Sequence, residues 1–344
     1  MTPVDLLYEM VKLRSYTGEE EKLARFLVDV ANDLGFDESY VDGVGNFVAI
    51  RGKGEIKVYL VGHMDTVPGW IEPRLEKGYI YGRGSVDAKG ALAAFIVAVS
   101  EADLPSNLKV VVVGAVEEEG SSKGAFHLLK TLEFPSYLII GEPSGVEGIT
   151  LGYKGSLFVR KTFISEVSHS ASGEGTAIDL GLKAVFDVER LIEGMNQGKE
   201  RTWEKIDMSV REINSATDGL VETLKVALSF RLPLWIRPEE LVSVLGDGWE
   251  PLFMAPAYRS DRSNSLVSAF NKAIKGEGLK PRFKVKSGTS DMNVLAPIWK
   301  CPAVAYGPGD SSLDHTPRER LSIEEYLISI EVIKEVLRSI PPTL

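Results

Sequence analysis

The sequence predicts an α/β fold: a mostly parallel mixed sheet covered by helices, interrupted by an inserted α+β domain. Three observations predict it. Short apolar runs alternate with helical periodicity through the first third of the chain. The run at 108–116 is Val-rich along its length, as a strand buried on both faces requires. The middle of the chain then changes to longer alternating runs. At 344 residues the chain is about twice the usual length of one domain, which suits two.

Taken in order, the first element is a helix opened by Thr2 as N-cap, with Pro3 at its first position and Asp5 on the positive end of its dipole. Thr17 and Glu20 have capping-box spacing before a helix expected to run to Leu34 and stop at Gly35. A strand at 56–61 ends at Gly62, a small apolar helix spans 86–100, and strands follow at 108–116 and 137–140. His127 falls on a predicted helix and reads as structural. Alternating runs at 157–164 and 221–230 flank helical periodicity at 177–195. That pattern predicts an inserted domain at 154–262, with the first domain formed by 1–153 and 263–344. A helix at 263–274, a strand at 302–306 and an amphipathic helix at 323–340 complete the first domain.

Composition excludes some functions. A net charge of −10 argues against a nucleic-acid partner, since phosphate binding needs a basic face. No apolar run reaches the roughly 20 residues that span a bilayer. The N-terminus reads as a helix start rather than a signal peptide, and the single cysteine, Cys301, fits a reducing cytoplasm. Gln197 is the only glutamine among many Glu, Lys and Arg, a composition of heat-stable proteins, so melting well above 50 °C is expected.

Chemistry-bearing residues follow the predicted strands. In open α/β sheets, ligands bind outside the carboxyl ends of the strands. That edge collects His63, Asp65, Glu117, Glu118, Glu119 and Glu142, and later Asp314 and His315. Asp87 joins them from the Gly-rich segment Tyr81-Gly82-Arg83-Gly84-Ser85-Val86-Asp87. Imidazole and carboxylate are zinc ligands. Two metals need a shared ligand, which a carboxylate supplies, and Asp87 suits that role. Two ions about 3.5–4 Å apart can polarise a carbonyl and activate a water. A further carboxylate must then carry the proton, and the adjacent Glu117 and Glu118 offer one base and one ligand. Asp65 can accept the proton on the other nitrogen of His63. Each residue alone is ordinary: a lone histidine after a strand is usually structural, and a Glu run is usually solvated. Their joint occurrence at successive strand ends carries the reading.

The segments Gly62-His63-Met64-Asp65-Thr66-Val67-Pro68, Gly82-Arg83-Gly84-Ser85-Val86-Asp87-Ala88-Lys89-Gly90, Glu117-Glu118-Glu119-Gly120 and Gly141-Glu142-Pro143 resemble the aminoacylase/carboxypeptidase/desuccinylase metallopeptidase family. The resemblance covers nearly the whole chain. It implies a zinc-peptidase-like catalytic domain, an inserted dimerisation (lid) domain, and two Zn2+ per chain, for which Co2+ or Mn2+ could substitute. His63 and Glu142 would hold one ion, Glu118 and His315 the other, with Asp87 between them. Glu117 would be the general acid/base, and Asp65 the carboxylate behind His63. A cis peptide is implied at Asp87–Ala88. Ser168-His169-Ser170-Ala171 matches the lid's histidine motif, which implies that His169 reaches across a homodimer to the developing oxyanion. Asn214, Arg231 and Arg259 fall where the family has substrate-facing polar residues, and 287–291 falls near others.

Val86-Asp87-Ala88-Lys89, Val116-Glu117-Glu118-Glu119 and Gly148-Ile149-Thr150-Leu151-Gly152-Tyr153-Lys154-Gly155 narrow the resemblance to [amino-group carrier protein]-lysine/ornithine hydrolases. That branch implies release of lysine and/or ornithine from a small acidic carrier protein in lysine and arginine biosynthesis, by a homodimer or higher oligomer. Arg259, Arg262, Arg282, Lys284 and Lys286 are then candidates for carrier docking. The alternative substrate class is small: N-acetylornithine or succinyl-diaminopimelate.

Overall fold

Thr2 and Asp5 exchange hydrogen bonds across the first turn of the helix Pro3–Lys12, so the predicted cap is formed. The structure, a computed structural model, describes residues 1–168 and 175–341. The chain divides into two units.

The first unit comprises Met1–Gly152, Ser260–Val285 and Ser290–Leu344. Its sheet runs in the order Glu38–Val41, Phe47–Arg51, Leu108–Ala115, Ile56–His63, Tyr137–Gly141, Ala303–Ala305 and Gly148–Tyr153. Pairing is parallel at the centre, where Ile56–His63 lies between Leu108–Ala115 and Tyr137–Gly141. Towards the edges it is antiparallel, so the sheet is mixed. The central strands are apolar on both faces and almost wholly buried, as a sheet covered on both sides requires.

Three glycines lie side by side across this sheet, Gly62 opposite Gly114 on one neighbour and Gly141 on the other. A Cβ on Gly141 would lie 2.8 Å from Phe95, and one on Gly114 would lie 3.1 Å from Leu92. Missing side chains therefore let the helix Lys89–Glu101 settle onto the strands. That helix is buried from Lys89 through Val99, and its small residues Ala91, Ala93 and Ala94 suit the close approach. It begins three residues later than its apolar run suggests. Val86 and Asp87 belong to the loop before it, and their N–H groups donate to the side chain of Glu319.

The spacing of Thr17 and Glu20 does not make a cap. The helix Glu21–Asp33 has no side-chain hydrogen bond at its N-cap. Thr17 donates to Asp65 instead, and Glu20 accepts from the N–H groups of Gly18 and Glu117.

The second unit comprises Tyr153–Arg259 with Lys286–Thr289. Its antiparallel sheet runs Asp207–Thr217, Val221–Leu232, Gly155–Glu166 and Glu250–Ala255. The helix Ala177–Met195, boxed at its start by Thr176 and Asp179, covers this sheet. Gly181 allows the contact, since a Cβ there would lie 2.2 Å from Leu224. Lys154 is buried and donates to the carbonyls of Thr202 and Lys205 and to the carboxylate of Asp207. Where the first unit resumes, the N–H of Ser260 donates to the carbonyl of Leu151 at 2.7 Å.

Candidate metal centre

Strand register assembles the centre. His63 ends its strand opposite Ala115, so the residues after Ala115 emerge beside it. Glu142 follows Gly141, which lies opposite Gly62 on the other side. The loop before the helix Lys89–Glu101 brings in Asp87, and the peptide bond from Asp87 to Ala88 is cis. His315 arrives on a residue with φ 59°, in the left-handed region, which non-glycine residues adopt mainly where surrounding contacts enforce it.

His63 is buried. Its Nδ1 lies 2.9 Å from the Asp65 carbonyl oxygen and 3.5 Å from Oδ1 of the same residue. The nearer partner is thus the backbone of Asp65 rather than its carboxylate. With Nδ1 on that carbonyl, Nε2 faces Asp87 Oδ1 at 3.3 Å and Glu142 Oε1 at 4.0 Å. The Asp65 carboxylate has further partners: it accepts from the N–H groups of Glu118 and Glu119, each at 3.0 Å, and from Thr17.

That pinning shifts the glutamates by one residue from the expected assignment. Glu117 has φ 57°, and its side chain turns aside to accept from Ser121 at 2.6 Å and Lys123 at 3.2 Å. Glu119, not Glu118, meets His315: Nε2 lies 2.8 Å from Glu119 Oε1 and 3.0 Å from Asp87 Oδ2. Glu118 gathers with His63 and Glu142, while Glu119 gathers with His63 and Asp87. Within each group the ligand atoms lie within 4.8 Å of one another. Three identical residues carry no internal register in a sequence, and Asp65 supplies it here.

The electrostatics are those of negative charge held at close quarters. Burial, reinforced by the charges of Glu142, Glu119 and Asp291, lifts Glu118 well above the usual carboxylate range. Burial and the charge of Asp87 raise Glu119. Asp291 is pushed up to about 7 by burial and the charge of Asp65. Asp87 goes the other way: burial opposes its charge, but hydrogen bonds with His315 and His63 outweigh it. Those with Asp87 and Glu119 lift His315 to about 10. For His63, burial disfavours the charged form, and Asp65 and Asp87 more than compensate. Clustered carboxylates and imidazoles of this kind suit hard or borderline divalent cations.

Several participants carry a different reading in the sequence, Thr17 and Glu20 as a cap and Asp291 near the substrate, or none at all. Thr17, Glu20, Arg83, Asp291 and Glu319 all hold or surround the ligand groups. The expected substrate residues belong to the second unit. Asn214 is exposed on its strand opposite Lys225, Arg231 donates to Thr289 at 2.7 Å, and Arg259 is exposed on the short strand Tyr258–Arg259. His169 lies outside the described residues.

A mixed α/β sheet with His and carboxylate clusters at its carboxyl edge defines a metal-dependent hydrolase of amide bonds. The chain belongs to the peptidase family M20/M25/M40, whose model matches residues 59–339. It is 41% identical to a [LysW]-lysine hydrolase of Deinococcus radiodurans, over 97% of this chain and 95% of that protein. It is 30% identical to a [LysW]-lysine/[LysW]-ornithine hydrolase of Saccharolobus islandicus, over 95% and 92%. Among solved structures, it superposes on an M20 family metallo-carboxypeptidase of Sulfolobus solfataricus with a TM-score of 0.73 at 19% identity, covering 98% of this chain and 99% of that one. No helix among the described residues is long and apolar enough to cross a membrane.

Proposed function

We propose that this protein releases lysine and/or ornithine from an amino-group carrier protein. It would hydrolyse the amide between the carrier's terminal glutamate side chain and the α-amino group of the amino acid. The observation that carries the chemistry is the pair of donor groups sharing His63, with the half-buried Glu118 grouped with the imidazole and with Glu142. His63, Asp87 and Glu142 would hold one divalent ion, and Asp87, Glu119 and His315 the other. Zn2+ fits these donors, and Co2+ or Mn2+ would also suit them. When bound, two such ions polarise the scissile carbonyl and make a water acidic enough to attack.

The chain's own residues do the rest. Asp65, through the N–H groups of Glu118 and Glu119, sets the direction of both side chains. Glu118, beside His63 and Glu142, would as the carboxylate take a proton from the attacking water and then as the acid return it to the departing α-amine. Glu117, engaged with Ser121 and Lys123, serves the turn.

Dimerisation fits the second unit. Leu182 and Phe186 on its helix and Ile213 on its edge strand stand exposed, apolar surface that a second copy would cover. In such a dimer His169 would stabilise the oxyanion of the partner's site, and Asn214, Arg231 and Arg259 would contact substrate. A cytoplasmic biosynthetic setting accords with the substrate.

Carrier docking needs local positive charge on an acidic enzyme. Of the basic candidates, Arg282 pairs with Glu147, Arg262 stacks on Phe283, Lys284 donates to the Ser144 carbonyl and Lys286 lies over the Tyr153 ring. Arg259, exposed on its short strand, is the first to change. The test is amino-acid release by the metal-loaded enzyme from carrier-linked lysine and ornithine beside N-acetyl and N-succinyl compounds. Preference for the carrier supports the proposal. Preference for the small compounds makes the protein a metabolite deacylase with the same centre.

A further inference from the structure

The two loops that bring Asp87 and His315 to the centre are far apart in sequence, and one buried ion pair joins them. The strand Tyr79–Tyr81 pairs with Arg320–Ser322, Tyr81 opposite Arg320. The Asp87 loop leaves that ladder at Gly82, where the His315 loop enters it at Glu319. Glu319 is fully buried, and its Oε1 accepts from the N–H groups of Val86 at 3.0 Å and Asp87 at 3.1 Å. Its Oε2 accepts from Arg83 Nη1 at 2.7 Å. The same Nη1 reaches the carbonyl of Thr316, next to His315, at 3.2 Å, and Arg83 Nε donates to the Gly69 carbonyl at 3.1 Å.

We infer that Glu319, with Arg83, is a positioning residue for the metal centre, fixing Asp87 by its backbone and tying it to the turn that carries His315. A buried charge pair is costly to desolvate and no better for stability than well-packed apolar residues. This pair, though, is aimed at two main-chain N–H groups whose placement decides where the shared ligand points. Groups that orient ligands in this way typically change metal affinity about 10–100-fold when removed. The inference rests on the two-ion reading proposed above.

The experiment uses the full-length chain, stripped of metal and titrated with Co2+ alone, following affinity and visible absorption. Wild-type protein must bind two ions; failure there defeats the two-ion reading itself. Given that, Glu319→Ala is expected to bind at least one ion about 10–100-fold more weakly, with a changed cobalt spectrum. Glu319→Gln keeps an acceptor for the two N–H groups and is expected to recover part of the affinity. In the metal-free protein, hydrogen exchange at Val86 and Asp87 is expected to quicken in Glu319→Ala. If Glu319→Ala does not fold, Glu319→Leu takes its place in the same comparison, because it fills the space while offering the two N–H groups no acceptor. A folded variant with wild-type cobalt affinity, spectrum and exchange overturns the inference, since lost packing alone lowers melting temperature without moving those three readouts.

Discussion

Adjacent glutamates in this protein face different partners, and the difference is set by one carboxylate. Asp65 is buried, and burial disfavours its charge, yet the neighbouring His63 and hydrogen bonds from Thr17 and the Glu119 N–H hold it below the usual carboxylate range. As an anion it can accept from two successive N–H groups, and so it aims Glu118 and Glu119 inward while Glu117 turns out. Replacing Glu118 with Gln is expected to lower kcat by about 10²–10⁴-fold, the usual contribution of a general acid/base, with KM little changed. Glu117→Ala is expected to stay within several-fold of wild type in the same steady-state assay. Equal losses in the two variants would return the proton-transfer role to open choice. The residue types at this edge were legible in the sequence because each motif follows a strand. Their register was not, because it depends on a hydrogen bond donated to a residue more than fifty positions away.

At the scale of elements, the approach of helix to sheet sets where Asp87 can stand. The row Gly62, Gly114 and Gly141 is an absence of side chains, and the helix Lys89–Glu101 fills the space. Gly141→Ala would set a methyl 2.8 Å from Phe95 and 3.1 Å from the Gly62 backbone. Such overpacking typically costs about 1–3 kcal/mol, which thermal unfolding will register. Metal affinity is expected to fall with it, because the helix carries the Asp87 loop. A melting curve unchanged from wild type would mean the helix has room to move. The helix was legible from its apolar run, but its first turn was not. Nothing local marks 86–88 as a loop, whose N–H groups at Val86 and Asp87 reach Glu319 in a distant part of the chain. Thr17 and Glu20 misled in the same way: a capping pattern is local, and both side chains were taken by the metal centre.

For the whole molecule, the centre links stability to pH. In the metal-free chain Asp291 is pushed up to about 7, Glu118 and Glu119 lie above their ordinary 4.5 and His315 is lifted to about 10, so the native state binds more protons than the unfolded chain from about pH 4.5 through 7 and beyond. Stability of that form therefore falls as pH rises through this window. Lys89, pushed down to about 7 by burial, has the opposite sign but acts only above pH 7. Bound cations require the carboxylates ionised, so the gain in melting temperature on adding zinc is expected to be larger at pH 7 than at pH 5. An equal gain at both would mean the carboxylates are not the ligands. Assembly gives a second test: mixed Glu118→Gln and His169→Ala chains are expected to recover part of the activity that each lacks, and no recovery would argue for self-contained sites. The alternation of strand and helix in the first unit, and the long alternating runs of the second, were both legible. The strand Asp207–Thr217 was not, because it is exposed and a register shift between Val210 and Glu212 breaks the alternation of Met208, Val210 and Ile213.

The hydrogen bond from Ser260 to Leu151 means that the second unit's long segment leaves and re-enters the first through neighbouring points of the backbone. Adjacent strands lie only about 4.8 Å apart, a gap that a turn of a few residues can close. The insertion is therefore a cassette with a narrow doorway. A chain that closed this doorway early, or opened it to a different cassette, would leave the strands of the first sheet in place.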